Sequence, residues 1–256
     1  MIDGLVSVIM PSWNTERFIA NSIQSVINQT YQNWELIIVD DCSTDDTDNV
    51  VAGFSDERIR YLKNEKNCGA ALTRNRALRE AKGEWIAFLD SDDLWMPEKL
   101  EKQIDFMREN NCCLSYHQYE KINEEGQPLY IYVSGPEIVN KRKMYNYDYI
   151  GQLTMMYSAK YFGLIQIKDI KKNNDYAIRL QLYKKPQTKC YLLKENLAQY
   201  MVRKKSISHD KLSKKLKSHY DLFHICDEQP APLALWYASW NMFFGTLKKL
   251  KYENRR

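Results

Sequence analysis

A chain of 256 residues with 44% hydrophobic and 27% charged residues is neither fibrous nor disordered, and it fits one large globular domain or one with a modest appendage. No apolar run approaches the roughly 20 residues that span a bilayer, and six cysteines without CxxC spacing argue for reduced thiols over a disulfide framework or a zinc site. The net charge of +4 is mild but uneven, with seven Lys or Arg between Arg203 and Lys217 against the single Asp210.

The start, Met1-Ile2-Asp3-Gly4, lacks a basic n-region and leads straight into a strand, so no signal peptide is expected. Leu5 to Met10 is a β-branched run ended by Pro11, which reads as a buried strand followed by the loop Pro11-Ser12-Trp13-Asn14. From Glu16 to about Gln29, Phe18, Ile19, Ile23, Val26 and Ile27 recur at helical spacing. Glu35 to Val39 is a second buried strand that runs into Asp40 and Asp41, and Ser43 and Thr44 are N-cap candidates for the next helix. Ile59 to Leu62 is a short strand. Gly69 to Lys82 is a helix with Ala70, Thr73, Ala77, Leu78 and Ala81 on one face, stopped by Gly83.

The fourth strand carries the sharpest signal. Trp85-Ile86-Ala87-Phe88-Leu89 lacks polar alternation, as a strand buried on both faces does, and it runs into Asp90-Ser91-Asp92-Asp93. Side chains two apart on a strand point the same way, so Asp90 and Asp92 converge where the strand ends. Convergent carboxylates repel unless a cation lies between them, and oxygen-only ligands suit Mg²⁺ or Mn²⁺. The bland alternative is a solvated acidic turn capping the helix that Pro97 begins, whose Leu100, Ile104 and Met107 face inward. Strand and helix alternate as in parallel βαβ units, where ligands bind outside the carboxyl ends of the strands. Two strands ending in carboxylates favour nucleotide and metal sites over surface decoration.

The second half is less regular. Cys113 to Tyr119 and Leu129 to Val133 read as a strand pair around Glu124-Glu125-Gly126. Residues 134 to 170 hold many Tyr and Lys but little periodicity, as in a substrate-facing or a poorly packed segment. Asn173-Asn174-Asp175 opens a helix, where Asp175 alone would read as an N-terminal cap. Leu192 and Leu193 mark a last short strand. The aromatic stretch from Leu233 to Leu250, with its lysines, suits either a helix in a membrane interface or one packed on the domain or another subunit. The basic rear half fits an anionic partner, or a solubilising tail.

Together these segments resemble the family-2 glycosyltransferases of GT-A fold. The resemblance is carried by Val6 to Asn14, Glu35 to Ser43, Asn67-Cys68-Gly69 with Arg74-Asn75, and Gly83 to Asp93, collinear across about residues 5 to 110; beyond that only Asn174-Asp175-Tyr176 and Tyr200 to Ser208 look familiar. It implies an α/β, Rossmann-like fold with a mostly parallel central sheet and a helical C-terminal tail. The expected division is a catalytic domain over 1–205, with a nucleotide-sugar half at 1–110 and an acceptor half at 111–205, then a basic tail at 206–256. By the resemblance, Pro11, Ser12, Asn14, Glu16, Asn67, Arg74, Ser91 and Arg203 lie along a UDP-sugar, and Asp41 accepts the N–H of uracil. Asp90 and Asp92 form its DxD element and hold Mn²⁺ or Mg²⁺, with Asp93 assisting. Asp175 matches the catalytic base of an inverting transfer to a hydroxyl of a lipid-diphosphate-linked glycan. The family's Glu before this Asp is here Asn174. Ser206 and Ser208 resemble a segment that closes over the diphosphate, and His209 in its basic stretch reads as solvated rather than as a ligand.

The resemblance implies cell-surface polysaccharide synthesis by a cytoplasmic protein, peripheral at the inner face of the membrane, with no nucleic-acid partner. Two other readings remain at this point: a non-catalytic nucleotide-binding relative, and a receiver-like signalling module, which is usually about half this length. A dehydrogenase is disfavoured because the loop after the first strand lacks GxGxxG.

Overall fold

The computed structural model describes residues 1–203 and 212–255; Ser206, Ser208 and His209 lie outside the described residues. The first half runs β1 (Ile2–Ser12), α1 (Ile19–Ile27), β2 (Trp34–Asp40), α2 (Thr47–Ala52), β3 (Ile59–Lys63), α3 (Ala70–Glu80), β4 (Gly83–Phe88), β5 (Leu94–Trp95) and α4 (Lys99–Glu109). The second runs β6 (Leu114–Ile122), β7 (Pro128–Val133), β8 (Ile138–Asn140), α5 (Lys141–Asn146), β9 (Met156–Ser158), α6 (Ala159–Phe162), α7 (Asn174–Leu182), β10 (Lys189–Met201), α8 (Leu212–Asp221), α9 (Ala231–Tyr252) and β11 (Glu253–Arg255).

One sheet threads the protein in the order β11-β7-β6-β9-β4-β1-β2-β3, with β10 pairing β5, β6 and β8. Strands β1 to β4 are parallel, as βαβ alternation requires: Val6 lies beside Trp34 of β2 and Trp85 of β4, and Ile9 beside Ile37 and Phe88. The second half adds the parallel pair β6–β10 and the antiparallel pairs β4–β9, β6–β9, β6–β7 and β7–β11, so antiparallel strands extend a parallel centre into a mixed sheet.

The period-two alternation of the apolar strands divides the core. Ile9, Ile37, Val39, Ile86 and Phe88 face one layer, built with Ala71, Ala77 and Leu78 of α3. Val8, Met10, Leu36, Ile38, Ala87 and Leu89 face the other, against Ile19, Ile23 and Val26 of α1 and Leu100, Ile104 and Met107 of α4. All seven residues of β2 are buried, which explains why it reads as a continuous apolar run.

Several local expectations are corrected. Ser43 and Thr44 do not cap α2, whose N-cap is Asp46 with no side-chain capping bond. The Ser43 hydroxyl instead donates to Asp40, and the Thr44 amide donates to Asn14 Oδ1 at 2.9 Å. Helix α3 ends at Glu80, and Gly83 opens β4, where a Cβ would stand 2.6 Å from the Leu5 carbonyl oxygen. Pro97 sits in the turn before α4, its carbonyl accepting from the Thr30 amide at 2.8 Å. The strand around Leu192 is thirteen residues long; register shifts between Leu193 and Gln199 interrupt its pattern.

Residues 134 to 170 are well packed: Val139, Met144, Ile150, Met155 and Tyr157 all join the core. Helix α9 packs Ala234, Ala238 and Asn241 inward. Further along the same face, a Cβ on Gly245 would lie 2.8 Å from the Tyr147 ring, so the helix approaches there as only glycine allows. Its outward face carries Leu233, Trp236, Trp240, Phe243, Leu247 and Leu250, all exposed. All six cysteines are free thiols. Among the described residues, no helix is long and apolar enough to cross a membrane.

Candidate active site

The parallel register brings the ends of β1, β2 and β4 together, so their loops meet along one sheet edge. At the end of β2 the Asp41 carboxylate accepts three N–H groups: Cys68 and Gly69 from the backbone at 2.7 Å each, and Asn64 Nδ2 at 2.8 Å. It thereby fixes the loop leading into α3, and lone pairs remain for a further donor. Asn67, in that loop, is exposed.

On the neighbouring loop, Asn14 stands in the left-handed region at φ 51°. Its amide donates to Ser43 Oγ at 2.8 Å, and Glu16 accepts the Asp46 amide at 2.7 Å. These bonds lash the β1 and β2 loops together. Ser12 is buried, its hydroxyl 2.8 Å from that of Thr15, and Pro11 lies in register with Val39. A depression of about 330 Å³ opens between Asn14, Glu16, Phe18 and Arg203.

Beyond β4, Asp90 and Asp92 are partly exposed while Ser91 is buried. Burial and then the neighbouring Asp90 push the Asp92 carboxyl up to about 6, against the pull of Arg203, whose Nη1 stands 3.4 Å away. Asp93, expected to assist the other two, turns inward instead. It is 2% exposed, and its Oδ1 accepts the Met201 amide at 2.9 Å, anchoring β10. Burial, then Asp92 and Asp90, hold its carboxyl well above the usual range.

Two carboxylates at the opening fit a divalent ion whose remaining ligands come from substrate phosphates and water, the usual habit of Mg²⁺. Among the described residues no third His, Cys, Asp or Glu gathers with them into a closed metal cage. That donor set is consistent with an open, substrate-completed site rather than a structural metal.

Arg74 joins this group to the second half of the chain. Its guanidinium lies 2.6 Å from Asp90 Oδ1 and 2.6 Å from Asp175 Oδ1, and it also donates to Asn174 Oδ1. Burial opposes its charge, but Asp175 and then Asp90 outweigh that and raise its proton affinity above the ordinary arginine value. Asn174 keeps an acceptor oxygen toward Arg74 without adding a charge. Asp175, in the first turn of α7, is thus directed to Arg74 and solvent.

On the side of Asp175 lies a cleft of about 620 Å³, lined by residues of α5–β9, α7, α8 and α9 and by none from the first half. Among its walls, the sequence singles out only the stretch from Asn173 to Tyr176. Gln152, Arg179 and Lys248 come from separate elements, and no local pattern could have marked them.

A GT-A glycosyltransferase is the class that this sheet, with acidic loops at its carboxyl edge, defines. The pattern of glycosyl transferase family 2 matches residues 7–170, and the chain belongs to that family. It is 42% identical over 209 residues to a Bacillus subtilis protein named for teichuronic acid biosynthesis, TuaG, covering 81% of this chain and 82% of that one. It is 38% identical over 253 residues to the Escherichia coli UDP-Glc:alpha-D-GlcNAc-diphosphoundecaprenol beta-1,3-glucosyltransferase WfgD, covering 99% and 98% of the two chains. Among solved structures it is similar to Staphylococcus aureus TarS 1–349 in complex with UDP-GlcNAc, with a TM-score of 0.70 at 22% identity, over 90% of this chain and 69% of that one.

Proposed function

We propose that the protein transfers a hexose, in the first place glucose, from a UDP-sugar to a hydroxyl of a lipid-diphosphate-linked glycan during bacterial cell-surface polysaccharide synthesis. The transfer inverts the anomeric configuration. The observation that carries this reading is the single guanidinium of Arg74 spanning Asp90 and Asp175, because it sets a donor-side carboxylate and a candidate base a few ångströms apart. The likeness to WfgD over nearly the whole chain supports the donor and acceptor classes. UDP-glucose carries its sugar in α linkage, so the β product in that relative's name corresponds to inversion.

In this reading Asp41 accepts the uracil N–H, with Pro11, Ser12, Asn14, Glu16 and Asn67 along the nucleoside. Asp90 and Asp92 would hold Mn²⁺ or Mg²⁺, which when bound neutralises charge on the leaving diphosphate. Arg203 approaches the same phosphates, and Arg74 holds Asp90 and Asp175 in fixed relation. Asp175 takes the proton of the acceptor hydroxyl as its oxygen bonds to the anomeric carbon and the bond to the diphosphate breaks. One displacement suffices, so no second catalytic carboxylate is needed. The exposed stripe of α9, with Lys251 beside it, rests on the cytoplasmic face of the membrane that holds the acceptor.

The test is UDP release from a panel of UDP-sugars with a synthetic GlcNAc-α-diphospho-lipid, with Mn²⁺ and with chelator. Turnover is expected with UDP-glucose and Mn²⁺. Asp175→Asn should lower kcat by roughly 10²- to 10⁴-fold while leaving UDP affinity intact, as loss of a general base does. Full activity in that variant would remove the base assignment.

A further inference from the structure

The cleft beside Asp175 has a composition that the fold does not require. Five cationic side chains line it against two carboxylates. One of those carboxylates, Asp148, is already paired with Arg179. Its wall also holds polar atoms with no hydrogen-bond partner: Gln152 Nε2, Asn173 Nδ2 and Arg179 Nε as donors, and Asn241 Oδ1 as an acceptor. Gln152 is 6% exposed and Arg179 2%, so bulk water does not satisfy them. Buried donors normally find acceptors, and a group of them in one wall calls for an oxygen-rich ligand.

Lys248 makes the charge of that ligand specific. It lies on the inward face of α9, where Ala234, Ala238 and Gly245 are small and the helix comes close. Its ammonium reaches the Asp148 carbonyl oxygen at 3.2 Å and the Tyr147 ring at 5.2 Å from the centroid. No carboxylate stands within ion-pair distance of it among the described residues. Burial pulls its proton affinity down, opposed by Asp148 and aided by Arg179. Unlike a cation closed inside the core, Lys248 borders the open cleft without a carboxylate partner, so an anion in the cleft would compensate its charge.

We propose that this cleft is the diphosphate subsite of the acceptor, with Lys248 and Lys215 meeting the phosphates over the donor-rich wall of Gln152 and Arg179. The assignment rests on the transferase reading above for its physiological ligand. It fits that reading in one respect: when the acceptor sugar is attached directly to a lipid diphosphate, its hydroxyl and its phosphates are one ring apart. The base and the phosphate cations must then share one cleft, as Asp175 and Lys248 do.

The donor carries a diphosphate too, so the experiment occupies that site first. Octyl diphosphate and octyl monophosphate are titrated by calorimetry into the full-length protein saturated with UDP and Mn²⁺. The wild type is expected to bind the diphosphate at least tenfold tighter than the monophosphate. Lys248→Met should abolish that preference, and Lys248→Arg should restore it. Lys215→Ser, an exposed change at the rim that leaves folding alone, should weaken diphosphate binding severalfold, and UDP affinity should be unchanged throughout. Equal binding by the wild type and both charge-removing variants would overturn the assignment, as would octyl diphosphate binding that saturating UDP eliminates. Absence of transfer from every UDP-sugar, with this binding intact, would defeat the transferase reading and leave the subsite standing.

Discussion

Buried positive charge is settled in a different way at each place where it occurs. Arg74 has two carboxylates, and removing either would leave a buried cation half compensated. Lys99 has none: its ammonium lies 3.8 Å from the Trp95 ring centroid with no hydrogen-bond partner, and burial holds its proton affinity well below the ordinary value. His117 lies near it, buried, with Nδ1 2.7 Å from the Gln118 carbonyl oxygen. Burial, and then the charge of Lys99, push the imidazole down to about 3 from 6.5. The unfolded chain therefore binds a proton on this ring below about pH 6.5 that the folded chain refuses. Stability from His117 is complete above that pH and is lost as the pH falls toward 3. Denaturant unfolding at several pH values should show the wild type losing up to about 1.4 kcal/mol per pH unit relative to His117→Gln across this window. Parallel profiles would show that the ring is protonated in the folded protein.

Helix α9 is amphipathic in the inverted sense. Its packed face holds alanines, an asparagine, a glycine and a lysine, and its exposed face holds the large apolar residues at spacings of three and four. Trp236 and Trp240 stack at 5.4 Å, and Trp240 continues to Phe243 at 5.9 Å, so the stripe is continuous. Composition alone left a choice between a membrane-interface helix and a packed one, because hydrophobicity does not say which face meets the domain. The packed face resolves half of that choice, and the exposed stripe leaves a continuous apolar face open on the other side. Replacing Trp236, Trp240 and Phe243 together with Ser should reduce binding to anionic phospholipid vesicles by roughly 100-fold or more, from the apolar area lost, with the melting temperature unchanged. Unaltered vesicle binding, or a dimer that becomes a monomer in the variant, would assign the stripe to another surface.

Across the whole molecule, what was legible followed from local pattern. The βαβ half read clearly because buried parallel strands are continuous apolar runs and their ends necessarily share an edge; Asp41, Asp90 and Asp92 follow from that alone. The mixed second half did not, since short strands such as β8 and β9 span too few residues to show a period. Asp93 was misjudged because spacing gives the direction of a side chain but not whether a later strand, here β10, will cover it. Asp175 stands out only through resemblance to a family, and the cleft beyond it is invisible in the sequence, because Gln152, Arg179 and Lys248 meet only in three dimensions. The account as a whole stands on a donor diphosphate held at the end of β4, on the far side of Arg74 from the acceptor. Anomalous diffraction from crystals grown with UDP and Mn²⁺ tests this most directly. The predicted result is a manganese peak in direct contact with the carboxylates of Asp90 or Asp92 and with the UDP phosphates; a peak and nucleotide lodged away from residues 90–92 would contradict it.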